Sequence, residues 1–351
     1  MAAKLRLFPF CPKAGPGIVL SGEFGTLQRS MHGCVLALRS VIVYDQKKMR
    51  VSLMDTLEDW RRKLMFDLSG MYYPITSNPA AAGEFLPCKA LRPYIRCFWG
   101  SSSRQQGHAL LQQSPLDGAA LKPAWPVTII PDTCMDIIWE WDAATGEAGG
   151  IFCGINDAPF EAGGGMQSAG RLSFAIRFHF WAVHLFADEH LRDVLNIHAP
   201  AQQYFASFRE ELGQKLYALH TFSDRVAAAE AYLLRRLDLS RRSNDSLMNA
   251  VYSILKHKGV VTAGELEDSA GVSSRQLERL FREYIGLSPK KTADLVRFQN
   301  VWLDLYQSSP HQMVMQDVVY NYRYSHQSHL INSFKKFAGR TPLEALAYAR
   351  R

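Results

Sequence analysis

Gly286-Leu287-Ser288-Pro289 and, later, Gly339-Arg340-Thr341-Pro342 punctuate the last third of this 351-residue chain twice in the same manner. A stop repeated in that form implies a duplicated unit. Ahead of the first runs Gln276-Leu277-Glu278-Arg279-Leu280-Phe281-Arg282, and ahead of the second His329-Leu330-Ile331-Asn332-Ser333-Phe334-Lys335. Leu and Phe stand four residues apart in both. On a helix that spacing stacks them on one face and turns Arg275, Gln276 and Arg279, or Ser328, His329 and Asn332, outward.

Working outward from these segments, a second short helix precedes each. The pattern predicts Ala263 to Ala270 closed by Gly271-Val272-Ser273, and Met315 to Tyr322 closed by Arg323-Tyr324-Ser325. Helix, tight turn and polar-faced helix make a helix-turn-helix, whose second helix enters the major groove with its N-terminal residues. The outward residue types suit base reading, since Arg pairs with guanine, Asn and Gln pair with adenine, and Ser and His bond base or phosphate. Base contacts are expected from Ser274, Arg275, Gln276 and Arg279, and from Gln327, Ser328 and Asn332. Arg282, Lys335 and Lys336 are expected to hold phosphates, and His329 to serve either role. Between the units Ser288 to Gln307 reads as one helix, capped by Ser288, with Pro289 in its first turn. Leu295, Phe298, Val301, Trp302 and Leu305 form an apolar stripe able to brace both units at the spacing of about 34 Å between successive major grooves.

From about Ser246 to Ala347 the chain resembles the AraC family of bacterial transcription regulators. The resemblance is carried by Gly271-Val272-Ser273, Leu277-x-Arg279-x-Phe281, Gly286-x-Ser288-Pro289, Gln327-Ser328-His329-Leu330 and Phe334-Lys335-Lys336-Phe337-Ala338-Gly339-x-Thr341-Pro342. It implies sequence-specific binding of double-stranded DNA, regulation by a small effector or by dimerisation, a homodimer, and contact with RNA polymerase. The fold it implies is α+β: a β-rich, barrel-like N-terminal sensor followed by an all-α domain of two helix-turn-helix units joined by a linker helix. Four positions depart from the family pattern. Glu267 and Val319 stand where Ala is usual, Arg323 where a turn glycine is usual, and His326 where an acidic residue is usual. A turn of positive φ at Arg323 would carry strain of about 1–2 kcal/mol.

Charge follows the same division. From Arg241 to the end there are 16 Lys and Arg against 10 Asp and Glu, while the preceding residues hold 24 against 23. The cationic excess thus sits on the segment that would meet phosphate. The six cysteines, Cys11, Cys34, Cys88, Cys97, Cys134 and Cys153, contain no Cys-x-x-Cys pair, so free thiols in a reducing cytosol are expected rather than a zinc site or a disulfide framework. No apolar run is long enough to cross a bilayer, since even Leu172 to Phe186 contains Arg177. A cytoplasmic protein with no cofactor, no membrane partner and no enzymatic role is expected.

Residues 1–70 read poorly as structure, with Leu53 to Leu68 the one amphipathic helical pattern. Translation starting at Met49, Met54 or Met71 is one reading, and recovery of a peptide covering Leu20 to Arg29 from the natural protein would dismiss it. Residues 71–240 read as a sensor or dimerisation domain and residues 241–351 as the DNA-binding domain. Strands are predicted at Tyr94 to Trp99, Pro126 to Ile130, Cys134 to Trp141 and, by strict alternation, Leu172 to Phe180. Leu91-Arg92-Pro93-Tyr94-Ile95, Ile130-Pro131-Asp132, Met135 to Trp139 and Arg177-Phe178 resemble AraC-type sensor domains. Trp99, Asp132, Asp136, Trp139 and Arg177 are the effector-binding candidates; core packing competes for the tryptophans, Trp125 and Trp141 included, and turn formation for the aspartates. His179, His184, His190 and His198 lack a metal-ligand spacing. Ala201 to Leu239 reads as two amphipathic helices and Ser240 to Ser246 as a polar linker. Two other functions compete: a degenerate helix-turn-helix protein acting through protein partners, and a metal-dependent cupin-like enzyme.

Overall fold

Alternation along one central strand organises the N-terminal part of the structure. A computed structural model describes residues 67–79, 84–100, 127–142, 145–162, 171–239, 244–308 and 315–350. The chain divides at Leu64 and Met65, and the described residues belong to the second unit. The expectations for the extension before Leu64, most of the Leu53 to Leu68 helix, Trp125, Cys11, Cys34 and residues 240–243 of the linker lie outside them.

Seven strands are present among the described residues: β1 (Ile95–Gly100), β2 (Val127–Ile129), β3 (Met135–Asp142), β4 (Ala148–Cys153), β5 (Phe160–Ala162), β6 (Arg171–Phe178) and β7 (His198–Pro200). Five form one antiparallel sheet in the order β1-β6-β3-β4-β7, and β2 pairs with β5 in a separate ribbon. The barrel-like expectation is met only loosely, because the larger sheet stays open at β1 and β7. Phe174, Ile176 and Phe178 are buried as the alternation requires, but so is Ala175 on the opposite face. Ala175 is small enough to be buried on that second face, where Ser173 and Arg177 are only partly covered.

Trp139 shows how closely the sheet is covered. A Cβ added at Gly150 on β4 or at Gly213 would lie 2.6 Å from its ring, so both positions need glycine for the indole to fit. Gly213 ends a π-helical turn, Arg209–Gly213, set between the helical stretches Ala206–Phe208 and Gln214–Ala218. The extra residue of such a turn is a local bulge in the helix.

Eight further helices follow among the described residues: α1 (Phe222–Leu239), α2 (Asp245–Lys256), α3 (Ala263–Ala270), α4 (Ser274–Tyr284), α5 (Pro289–Gln307), α6 (Met315–Asn321), α7 (Gln327–Ala338) and α8 (Pro342–Ala349). The predicted linker gives way to α2 at Asn244, whose side chain accepts from the Leu247 N–H at 3.0 Å. Both repeated stops are cap motifs. Gly339 closes α7 at φ 70°, and Thr341 and Glu344 form a capping box that opens α8. After the first stop, Ser288 caps α5 by accepting from the Lys291 N–H at 3.1 Å.

Candidate nucleic-acid interface

In the first helix-turn-helix, Thr262 caps α3 through a reciprocal pair with Glu265, and Gly271 ends it at φ 65°. That left-handed residue turns the chain into α4. Leu277, Leu280 and Phe281 are buried, whereas Ser274, Arg275, Gln276, Arg279 and Arg282 face outward. The second unit repeats the division. On α7 Leu330, Phe334 and Phe337 are buried, while Gln327, Ser328, His329, Asn332, Lys335 and Lys336 face outward. All eleven proposed DNA-contacting residues therefore lie at the surface of α4 and α7.

On α4, Gln276 and Arg279 have local contacts that the sequence did not signal. Gln276 Oε1 accepts from the Ser273 N–H at 3.2 Å and from its hydroxyl at 3.1 Å, so Gln276 serves the start of its own helix. Its amide NH2 remains the group for a base. Arg279 stands 3.9 Å from Glu283, a pair worth little after screening.

The linker helix α5 holds both units. Gly259, just after α2, lies so close to it that an added Cβ would sit 2.3 Å from the Ala293 carbonyl oxygen. On the other side Phe298 meets Phe334 at 5.2 Å and Phe337 at 5.0 Å between ring centroids. Two polar side chains of α5 pin the second turn. Arg297 donates to the Tyr322 carbonyl and lies 3.7 Å over the Tyr324 ring, and Asp304 accepts from the Tyr322 hydroxyl at 2.6 Å. Between the two pinned tyrosines Arg323 takes φ 50°, the left-handed conformation expected at that position. Such a conformation persists where its surroundings over-determine it. The pinning residues Arg297 and Asp304 were not singled out in the sequence, though polar residues among the apolar positions of a bracing helix are a usable signal. Glu267 and Val319 carry the carbonyls that the turn N–H groups of Gly271 and Tyr324 bond, and Val319 is buried.

The effector candidates divide into two groups. Trp99, Asp132, Asp136 and Arg177 converge. Arg177 engages Asp136 through Nε at 2.9 Å and Nη2 at 3.0 Å, and Asp132 through Nη1 at 3.0 Å, while Trp99 Nε1 donates to Asp136 at 3.0 Å. All three guanidinium nitrogens are thus occupied. Burial raises the Asp132 carboxyl pKa even against the Arg177 charge. Asp132 also accepts from the Cys134 N–H, the turn-forming role that competed for it. Trp139 sits apart, between Gly150 and Gly213.

The histidines of the sensor part scatter. His179 stacks on Trp181 at 4.4 Å, and burial together with the Arg96 charge brings its pKa down to about 3. His184 and His190 face Tyr284, and His198 meets Phe160. Among the described residues no three His, Cys, Asp or Glu side chains are grouped as metal ligands. Cys88, Cys97, Cys134 and Cys153 are free, and burial pushes the Cys97 and Cys153 thiols up to about 12. No described helix is long and apolar enough to cross a membrane.

Paired helix-turn-helix units braced on one helix, with cationic and amide side chains outward, define a DNA-binding transcriptional regulator. Residues 266–347 match the family described as a helix-turn-helix domain, and residues 83–200 match a domain of unknown function (DUF6597). The C-terminal part of the chain therefore carries a helix-turn-helix domain, the kind of unit that places a helix in the major groove. No curated protein matches it. Among solved structures it is similar to an AraC-type transcriptional regulator from Chromobacterium violaceum, at 24% identity over 30% of this chain and 93% of that one, with a TM-score of 0.28. It is also similar to ToxT from Vibrio cholerae, at 10% identity over 64% of this chain and 94% of that one, with a TM-score of 0.33. A second crystal form of ToxT gives 9% identity over the same shares and a TM-score of 0.35. Scores this low add nothing to the fold described above.

Proposed function

We propose that the chain is a cytoplasmic, sequence-specific regulator that reads two blocks of duplex DNA, one with α4 and one with α7. The supporting observation is the division of each recognition helix. Its apolar residues are buried against the brace, and Ser274, Arg275, Gln276, Arg279 and Arg282, or Gln327, Ser328, His329, Asn332, Lys335 and Lys336, stay outward. Residues 71–240 act as the sensor or dimerisation part and residues 241–351 as the reader. A small effector acting through Trp99, Asp132, Asp136 and Arg177 meets an Arg177 whose three guanidinium nitrogens each already face a carboxylate oxygen, so it competes with Asp132 and Asp136 for that side chain. Homodimerisation is the other route to control, and RNA polymerase is the partner through which binding would alter transcription.

Selection of bound duplexes from a random pool at fixed salt tests the central claim. Two preferred blocks about one helical turn apart are expected. A single block would remove α7 as a reader, and no enrichment at any salt would move the function to protein partners.

A further inference from the structure

The second recognition helix begins differently from the first. Its N-cap is His326, and the acceptor for the His329 N–H is the imidazole Nδ1 of His326, at 3.1 Å. A backbone N–H can only donate, so Nδ1 of His326 holds its lone pair there and the proton of the neutral ring is on Nε2. The next ring repeats the arrangement. His329 Nδ1 lies 3.0 Å from the Ser325 hydroxyl and 3.4 Å from the Ser325 N–H. The ordinary capping side chains, Ser, Thr, Asp and Asn, present an oxygen that accepts at any pH near neutrality. An imidazole accepts only while it is uncharged.

We propose that His326 is the positioning residue of the second reading helix, and that its cap makes recognition by α7 conditional on a neutral imidazole. The inference rests on the DNA-reading function proposed above. Protonation fills the Nδ1 lone pair, releases the His329 N–H and sets a cation at the positive end of the α7 dipole. Around the pair stand Tyr324, edge-on to His329 at 5.2 Å, and Arg297 of α5, which covers Tyr324. Arg323 in the same turn faces Glu265 of α3. DNA phosphate would attract the new cation, an attraction that added salt weakens, whereas the lost cap and the repulsion between the cation and the helix dipole both act on the reading helix itself. The lost cap acts directly on the residues that touch bases, so binding falls. While neutral, both rings offer Nε2–H as a donor, which matches the acceptors of phosphate or of guanine.

The test uses the full chain, a duplex carrying both selected blocks, and the same duplex with the second block scrambled. From about pH 8 to about pH 5.5, affinity for the intact duplex is expected to fall about fivefold more for the wild type than for His326→Asn, the order that loss of one cap implies. Asn caps without titrating, so each protein is compared with its own affinity at about pH 8. On the scrambled duplex the two proteins should respond alike. Identical pH profiles on the intact duplex, or tighter wild-type binding on acidification, would overturn the proposal. Nitrogen-15 spectra of labelled histidine decide the cap independently of DNA: Nδ1 of His326 is expected unprotonated at about pH 8, and a proton found there would overturn it. A chain that binds neither duplex while showing this tautomer would defeat the DNA-reading function and leave the cap standing.

Discussion

Arg275 and Lys336 are both exposed cations of the reading helices, yet different work is assigned to them. Arg275 lies in the first turn of α4, where side chains reach base edges. Arg275→Ala is expected to cost about 1–3 kcal/mol at a selected site and to relax discrimination at one position. Lys336, in the last turns of α7, should behave as a phosphate contact. Lys336→Ala is then expected to weaken all duplexes alike and to flatten the salt dependence, a difference that titrations at several salt concentrations resolve. Arg323 gives a third test at this scale. Its left-handed backbone costs about 1–2 kcal/mol relative to glycine, while glycine loses about 0.5–1 kcal/mol through its unfolded-state freedom. Arg323→Gly should leave stability unchanged or raise it by up to about 1.5 kcal/mol in urea unfolding; a clear loss would mean that the side chain itself holds the turn.

Among the elements, α5 carries more than its apolar stripe predicted. Leu295, Phe298, Val301, Trp302 and Leu305 are all buried as expected. Gln299, also buried, accepts from the Ile75 N–H at 2.9 Å and donates to the Pro131 carbonyl at 2.6 Å. Trp302 Nε1 donates to the Thr76 carbonyl at 3.0 Å. The linker helix is therefore bonded to the sensor part as well as to both readers. Gln299→Leu fills similar space but strands a buried N–H and a buried C=O, each worth about 1–3 kcal/mol. A loss of about 2–4 kcal/mol is expected in denaturant unfolding. A loss below about 0.5 kcal/mol would mean that water replaces both bonds. The bounds of α3 and α5, and the stop of α7 at Gly339, were legible in the sequence because caps, turn glycines and prolines mark them locally. β4, β5 and β7 were not: Ala148 to Cys153 is rich in glycine, and the other two strands are three residues long. Their pairing partners supply what their own sequences lack.

At the scale of the molecule, a loop of the sensor part reaches the reader. Lys291 Nζ bonds Asp157 at 2.5 Å, Asn196 Nδ2 donates to Asp157 at 2.8 Å, and Pro159 approaches Gly339 closely enough that a Cβ there would lie 3.2 Å away. For Asp157, burial acts to raise the carboxyl pKa, but the bonds from Lys291 and Asn196 outweigh it and the pKa is lowered. A folded value below the unfolded one, about 3.9, contributes stability that is present above about pH 4 and is lost as pH falls through the folded value. Asp157→Asn is accordingly expected to cost about 0.5–1 kcal/mol at neutral pH, after allowance for solvent screening, and progressively less on acidification. Thermal unfolding of both proteins across that range checks the sign. A difference that widened toward acid pH would contradict it.

The sequence by itself determined the duplicated reader, because a cap, a turn residue and a four-residue apolar spacing act over one or two helical turns. It also showed which side chains of α4 and α7 face outward, since helical periodicity assigns faces without knowledge of partners. Tertiary structure alone decided that Arg177 binds both Asp132 and Asp136, that Trp139 is enclosed between two glycines, and that Gln299 joins the sensor part to the linker helix. These depend on groups distant in the chain, and no local spacing records which donor meets which acceptor.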